Sequence, residues 1–466
     1  MSTKRLKKAL VVDMTHGGLT IAREFSKLPS FEVLAWDIYH TLNDVSKDNL
    51  RENGVEMVDE GFLRENTIKS NESEGNRIIV VAPIHCSSEC PVDMTHHEAV
   101  AFLMKESIEL PFIEVTGVKG KTSVVHMLKE IFRELNPLIL SSLGVEVTSD
   151  GESKLLKKDI SITPASIIEA RELAYNYPVG IFIAETSLGG TGLADVGVLT
   201  NIAEDYPIAK GKRSASQAKA QIFKSRMVAC DYDSCCEFYP DFEEKTNTFG
   251  LEDETSVIKP KILNVKASKI SYGLEETHFT VEVENLKTAS GAVMEDTFEV
   301  STFAPAPHHV QNTLAAICAS LTLGASKDII KKGLKNFTGL KGRTSITRKP
   351  GVRIIEEINP GINLTSIKKA IGILEDLSGR VVIFGGKYGV TCEEIDEKLV
   401  SIILNELNDD IELILTGELG MGLRESIRRD FHYTSEPGEA VDYALDKGLQ
   451  NILLIYRSNF PDLNRR

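Results

Sequence analysis

The stretch Phe112 to Ser123 constrains the fold more than any other. It reads Phe-Ile-Glu-Val-Thr-Gly-Val-Lys-Gly-Lys-Thr-Ser. Phe112 to Val115 suits a strand, Thr116 to Gly120 a glycine loop, and Thr122 to Leu135 a helix. Glycines let a backbone fold closely around phosphate oxygens, and the N–H groups at a helix start attract anions. On this reading Thr116, Gly117, Val118, Lys119, Gly120, Lys121, Thr122 and Ser123 cradle the phosphates of ATP. Lys121 neutralises the β- and γ-phosphates, and the Thr122 hydroxyl ligates Mg2+. The loop is a short form, because the general pattern has a glycine where Val115 stands. The alternative reading is a plain strand, turn and helix.

The flanking sequence repeats this alternation. Ala9 to Asp13 reads as a strand, Thr15-His16-Gly17-Gly18 as a turn and Ile21 to Leu28 as a helix. Phe31 to Trp36 and Ile78 to Pro83 are further strands, so the first segment predicts a parallel sheet covered on both faces. A second unit begins near Glu109, with strands at Ile181 to Ala184 and Val196 to Thr200. Between about Lys245 and Val300 polar and apolar residues alternate, which predicts antiparallel strands. His309 to Leu323 returns to helical spacing. Four short apolar strands follow Gly339-Leu340-Lys341-Gly342-Arg343: Val352 to Glu356, Val381 to Phe384, Leu413 to Thr416 and Ile452 to Tyr456. These predict a third, doubly wound unit.

A length of 466 residues suits about three domains. The net charge of −15 argues against a bare nucleic-acid or anionic-membrane surface. The apolar run Ile78 to Ile84 falls far short of the ~20 residues that span a bilayer. The basic start followed by a short strand-like run does not read as a signal peptide, and seven cysteines, an odd number, fit reduced thiols. The expected location is the cytoplasm.

In this context further segments become specific. Thr116-Gly117-x-x-Gly120-Lys121-Thr122-Ser123 resembles the nucleotide loop of the Mur ligases and folylpolyglutamate synthetases. Glu185-Thr186-Ser187 resembles their strand-end Mg2+ glutamate, so Thr122 and Glu185 are the implied metal ligands. Thr200-Asn201-Ile202-x-x-Asp205 resembles the Asn-Ile-x-x-Asp-His segment, with Tyr206 in place of the histidine. Gln217-Ala218-Lys219-Ala220-Gln221 resembles the segment whose lysine is carbamoylated in many members. His308-His309-Val310-Gln311-Asn312 resembles the adenine-side helix, and Gly339-Leu340-x-Gly342-Arg343 the segment whose arginine reaches the nucleotide phosphates. Glu356-Glu357 takes the place of the acidic residue near the ribose, and Gly385-Gly386-Lys387 resembles a glycine turn of the C-terminal domain.

The resemblance implies an α/β, three-domain Mur ligase-like architecture. Residues 1–108 form a Rossmann-like substrate-binding domain, 109–340 a central P-loop ATPase domain and 341–466 a doubly wound C-terminal domain. Lys121, Glu185, Lys219 and Arg343 are the implied catalytic residues, with Asn312, Arg343 and Glu357 completing the nucleotide contacts. Alone, Glu185 reads equally as a solvated strand-end carboxylate and Lys219 as a surface lysine.

Three N-terminal motifs, Asp13-Met14-Thr15-His16-Gly17-Gly18, Ala82-Pro83-Ile84-His85-Cys86 and Thr95-His96-His97-Glu98-Ala99-Val100, resemble the archaeal Mur-like branch that makes coenzyme F(430), the nickel tetrapyrrole of methanogenesis. So does Asn359-Pro360-Gly361-Ile362-Asn363. This implies an ATP- and Mg2+-dependent ligase acting on a nickel-containing seco-tetrapyrrole acid, with no nucleic-acid or membrane partner, as a monomer or dimer. His16, His85, His96 and His97 are then candidate substrate contacts; otherwise they cap turns or pack between domains. Two other readings stay open. One is an amide ligase on an archaeal wall peptide. The other is a metal-binding or non-turning-over nucleotide protein, in which His85, Cys86, Cys90, His96 and His97 hold a metal, although no C-x2-C pair occurs.

Overall fold

The structure is a computed structural model that describes residues 6–62, 78–86, 91–251, 262–340, 344–358, 362–374, 377–390 and 395–458. The chain folds into two compact units. The first comprises Met1–Ile270, Phe279–Val300 and Val310–Asn336; the second comprises Ser271–His278, Ser301–His309 and Phe337–Arg466.

The first unit holds two large sheets and a two-stranded ribbon, Pro207–Ile208 with Arg213–Ser214. In the smaller, β1 (Lys7–Val12), β2 (Phe31–Trp36), β3 (Val55–Met57), β4 (Ile78–Ala82) and β5 (Met94–Thr95) lie in the order β3-β2-β1-β4-β5. Every pairing is parallel. Leu10, Val11 and Val12 are fully buried, as expected of a central strand covered on both faces. The chain runs outward from β1 to β3 and then returns beside β1 as β4. The strand order therefore reverses between β1 and β4, and ligands of such sheets sit outside the strand ends at that point. Thr95 starts the next helix, His96–Met104, through a capping box: its hydroxyl accepts from the Glu98 N–H, and the Glu98 carboxylate accepts from the Thr95 N–H.

The larger sheet has eleven strands. Its centre is parallel, in the order Met227–Asp231, Val196–Leu199, β6 (Phe112–Thr116), Ile181–Glu185 and β7 (Pro137–Ser141). Phe112 and Phe182 stack between neighbouring strands with centroids 4.8 Å apart, and both are fully buried. The helix after the loop runs Lys121–Ile131, then tightens to a single turn, Arg133–Leu135. It stops there because Asn136 takes a left-handed conformation (φ 49°) and Pro137 opens β7.

The expectation of antiparallel strands after Lys245 needs correction in part. Thr246–Leu251 pairs in parallel with Met227–Asp231, and Val265–Ser271 pairs in parallel with Thr246–Leu251. Thr246 to Gly250 are all buried, the mark of a strand covered on both faces. The alternating segments Thr277–Lys287 and Val293–Thr302 lie at the edge of the sheet, where one face meets water.

The second unit carries a six-stranded sheet. The four expected strands are present as Val352–Ile358, Arg380–Gly386, Ile411–Thr416 and Asn451–Arg457, paired in parallel. Thr344–Lys349 adds an antiparallel edge whose polar sequence hid it. No described helix is long and apolar enough to cross a membrane.

The Phe112–Phe182 stack generates a stability prediction. Phe182→Ala should cost about 3–5 kcal/mol, because the cavity lies between two rigid strands and collapses little. Thermal melting should show a fall of several degrees in the midpoint, and Phe182→Leu should lose clearly less.

Candidate functional site

The loop between β6 and the Lys121–Ile131 helix is shaped by two close approaches. A Cβ on Gly117 (φ 141°) would stand 2.0 Å from the Thr200 hydroxyl, and one on Gly120 (φ 86°) 2.1 Å from Asn312 Oδ1. No L side chain fits either place. The Val118 N–H donates to the Asn201 carbonyl (2.9 Å) and the Lys119 N–H to Asn201 Oδ1 (3.1 Å). The Thr200 hydroxyl donates to the Lys119 carbonyl at 2.6 Å. Thr200-Asn201 thus supports the loop from the end of the neighbouring strand. Thr116 is fully buried, and Ser123 lies half-buried on the first helical turn.

Glu185 ends the adjacent strand and is 2% exposed. Its Oε2 accepts from the Thr122 hydroxyl and from the Ser142 N–H, each at 3.0 Å. The Thr122 and Ser142 hydroxyls are 3.1 Å apart. Lys121 Nζ donates to the Gly117 carbonyl (3.2 Å) and lies 4.0 Å from Glu185 Oε1. A carboxylate and two hydroxyls are hard oxygen donors, a set that suits Mg2+. The structure therefore brings Lys121, Thr122 and Glu185 together, and adds Ser142, which sequence reasoning missed.

Lys219 comes from the short helix Ala215–Lys219, whose start is fixed by a Ser214–Gln217 capping box. The Lys219 side chain is 1% exposed, and its amine donates to the Ser187 carbonyl at 2.6 Å. Burial, with Lys121 adding to it, pushes its pKa down to about 7. Ser187 lies two residues after Glu185, so the amine is anchored to the chain just beyond the metal-type carboxylate.

Asn312 lies on the helix Pro307–Leu323, buried against Gly120. In the second unit, His309 Nε2 and the Thr344 hydroxyl are 2.8 Å apart, and that hydroxyl donates to Glu357 Oε2 at 2.6 Å. Burial pushes His308 down to about 4 and His309 well below its ordinary range. Arg343, Cys90 and Asn359 to Gly361 lie outside the described residues.

The four N-terminal histidines separate into two pairs. His16 and His85 meet edge to face at 4.8 Å, beyond the ends of β1 and β4. Between them lies Asp13, fully buried and held in the left-handed region at φ 69°. Asp13 Oδ1 accepts from the Thr15 and His16 N–H groups, and Oδ2 lies 2.7 Å from His16 Nδ1 and 3.7 Å from His85 Nε2. His96 and His97 are buried instead. His96 sets its two ring nitrogens against the Val12 and His16 carbonyls, at 3.0 and 3.3 Å, and burial lowers it to about 4. His97 Nδ1 faces Gln221 Nε2 at 3.4 Å, and burial lowers it to about 3. Gln221 Oε1 accepts from the Thr95 hydroxyl at 2.9 Å, and Lys224 pairs with Glu98 at 2.6 Å. The start of the His96 helix is thereby braced to the segment that carries Lys219.

Glu114 is a further buried group. Its carboxylate accepts from the Thr191 N–H and hydroxyl at 2.8–3.0 Å, and burial raises it to about 7. An acidic residue inside an otherwise apolar strand was the signal for it.

Residues 115–320 match the family described as Mur ligase middle domain, and residues 346–459 match Coenzyme F430 synthetase CfbE, C-terminal domain. The chain thus carries a segment like the middle domain of the Mur ligases, a family of ATP-dependent ligases, and is similar to them. It is 29% identical to the coenzyme F(430) synthetase of Methanocaldococcus jannaschii, over 89% of this chain and 91% of that protein. It is 27% identical to the coenzyme F(430) synthetase of Methanosarcina acetivorans, over 88% and 90%. Among solved structures, the MurF ligase of Thermotoga maritima in complex with ADP superimposes with a TM-score of 0.57 at 13% identity, covering 99% of this chain and 97% of that one. That likeness establishes the three-domain α/β architecture of the Mur ligases.

Glu114 yields a pH prediction. Its folded pKa lies above the ordinary carboxylate value of 4.5, so between the two the folded chain holds a proton that the unfolded chain has lost. Its contribution to stability therefore falls as pH rises from about 4.5 to 7. Glu114→Gln should remove that slope, a difference on the order of 3 kcal/mol between the two ends of the window. Denaturant midpoints of both proteins at pH 5 and 7.5 check it; parallel pH profiles would refute the assignment.

Proposed function

We propose that this chain is an ATP-dependent cyclo-ligase that activates a propionate of a nickel seco-tetrapyrrole as an acyl phosphate and closes the last carbocyclic ring to give coenzyme F(430). The observation that carries the ligase reading is the convergence of Lys121, Thr122, Glu185 and Lys219 around one glycine loop at the ends of two paired parallel strands. The substrate rests on the likeness to the two F(430) synthetases over nearly nine-tenths of the chain.

A free carboxylate is a poor acyl donor. Its oxygen attacks the γ-phosphorus of ATP, the bond to the β,γ-bridging oxygen breaks, and ADP leaves. A carbon nucleophile of the same macrocycle, having given up its proton, then attacks the acyl carbon and expels phosphate. The macrocycle already holds nucleophile and acyl group together, so the protein supplies position and charge. Lys121 neutralises the transferring phosphoryl group, and the loop amides orient it. Thr122 and Glu185 offer oxygens to Mg2+, which supplies charge neutralisation when bound. His16 and His85 stand at the switch point of the first sheet, where we assign the tetrapyrrole; His96 is set against the backbone behind them, and His97 meets the Gln221 side chain.

Lys219 fits carbamoylation. An amine poised near pH 7 is substantially neutral, and its nitrogen can attack carbon dioxide, lose a proton and become an anionic carbamate. That exchange replaces the buried amine beside Lys121 with an anion that can orient the magnesium site.

The test is ring closure, followed by absorbance, with ATP, Mg2+ and the seco-acid. Wild type should close the ring and release one phosphate per product. Lys121→Ala should lose on the order of 10²–10³ in rate while remaining folded. Turnover of a wall peptide in place of the tetrapyrrole would overturn the substrate, and unaltered phosphate release by Lys121→Ala would overturn the loop. Lys219→Ala should fall by roughly 10² and recover in part with bicarbonate or a short carboxylate. Wild-type rates in Lys219→Ala would remove that residue from the site.

A further inference from the structure

The cluster Asp13, His16 and His85 gathers three ligand-type side chains at one point beyond the ends of β1 and β4. Asp13 is a carboxylate with no exposure, held in a backbone conformation that costs a non-glycine residue on the order of 1 kcal/mol. One of its oxygens is fixed by two backbone amides, which leaves the other aimed at both imidazoles. The rings come from two different strand ends and are 44% and 26% exposed at their side chains, so the open side of the cluster faces solvent. One donor atom from each residue lies within 4.8 Å of the others.

From this geometry we infer that Asp13, His16 and His85 bind a divalent transition-metal ion at the switch point of the first sheet. Two imidazole nitrogens and one carboxylate oxygen suit zinc, cobalt or nickel and do not suit magnesium, which prefers an all-oxygen shell. Three protein donors leave coordination positions free for water or for a carboxylate of an organic ligand, as in metal sites that handle a substrate. The amides on Asp13 Oδ1 act as the outer support that fixes a ligating carboxylate. The set is wider than a filled site, whose donors stand roughly 3–3.5 Å apart around an ion with bonds near 2.1 Å. Binding therefore draws His85 toward Asp13 Oδ2, from which it now stands 3.7 Å away. His96 takes no part, because its ring nitrogens are set against backbone carbonyls. This differs from a metal held along the sequence by His85, Cys86 and the following histidines: the partners of His85 come from the turn after β1. The inference concerns the ion alone and holds whatever organic ligand the first sheet takes.

The full-length chain, freed of metal with a chelator, is titrated separately with Co2+ and Zn2+ in the presence of excess Mg2+. Wild type should take up one equivalent by metal analysis after gel filtration, and Co2+ should give visible ligand-field bands. His16→Ala and His85→Ala should each weaken uptake by about tenfold or more. His85→Ala is the decisive variant, because among the described residues its ring makes the long contact to Asp13 and the edge contact to His16, and an unchanged melting curve will show that it folds. His278→Ala, at an exposed histidine in the second unit, should bind as wild type does. No stoichiometric uptake by wild type, or equal uptake by wild type and a folded His85→Ala, overturns the inference.

Discussion

The nucleotide-type loop has its shape because there is no room for it to have another. Gly117 is pressed against Thr200 and Gly120 against Asn312, each at a distance that excludes a Cβ. Close approach of this kind fixes backbone N–H directions without any bound ligand, and that preorganisation is what an electrostatic site requires. The rest of the centre is arranged around the loop. Glu185 ties the first helical turn to the chain beyond β7, and Lys121 folds back over the loop it follows.

Burial sets the protonation of the groups near this centre. Lys219 and Glu114 have both been taken out of water, and each is moved toward neutrality, the amine downward and the acid upward. They serve different ends. Glu114 is tied down by Thr191, and its carboxyl steadies the turn that follows Glu185. The Lys219 amine donates to the Ser187 carbonyl and sits where chemistry at neutral pH is feasible.

Much of this was legible in the sequence, for physical reasons. Central strands such as β1 and β6 announce themselves because burial on both faces demands apolar side chains, and the loop does so because only glycine tolerates its contacts. Glu185 and Lys219 could be placed only by the order and spacing of the segments around them, since neither residue alone differs from a surface charge. Other features were hidden. Thr344–Lys349 is a polar edge strand and carries no periodic signal. The parallel pairing of Thr246–Leu251 depends on which neighbours cover it, which alternation does not report. The four histidines looked alike in sequence. Their division into two at strand ends and two behind them follows from the register of β1 against β4 and from the Thr95 cap that turns His96 and His97 inward. In the sequence Asp13 reads as the end of the first strand, and its burial between two imidazoles needed the fold.

The brace from Thr95 and His97 through Gln221 has a thermodynamic consequence. It joins the start of a helix on the first sheet to the segment that positions Lys219, through side chains that are buried or half-buried. Two regions joined in this way share their conformational free energy. A ligand that favours one arrangement of the His96 helix must favour the matching arrangement around Lys219, and binding beside Lys219 must return the same free energy to the first sheet. The two ends of the first unit are then reciprocal effectors, so the order in which their ligands arrive changes the route to the doubly occupied state and leaves its free energy unaltered.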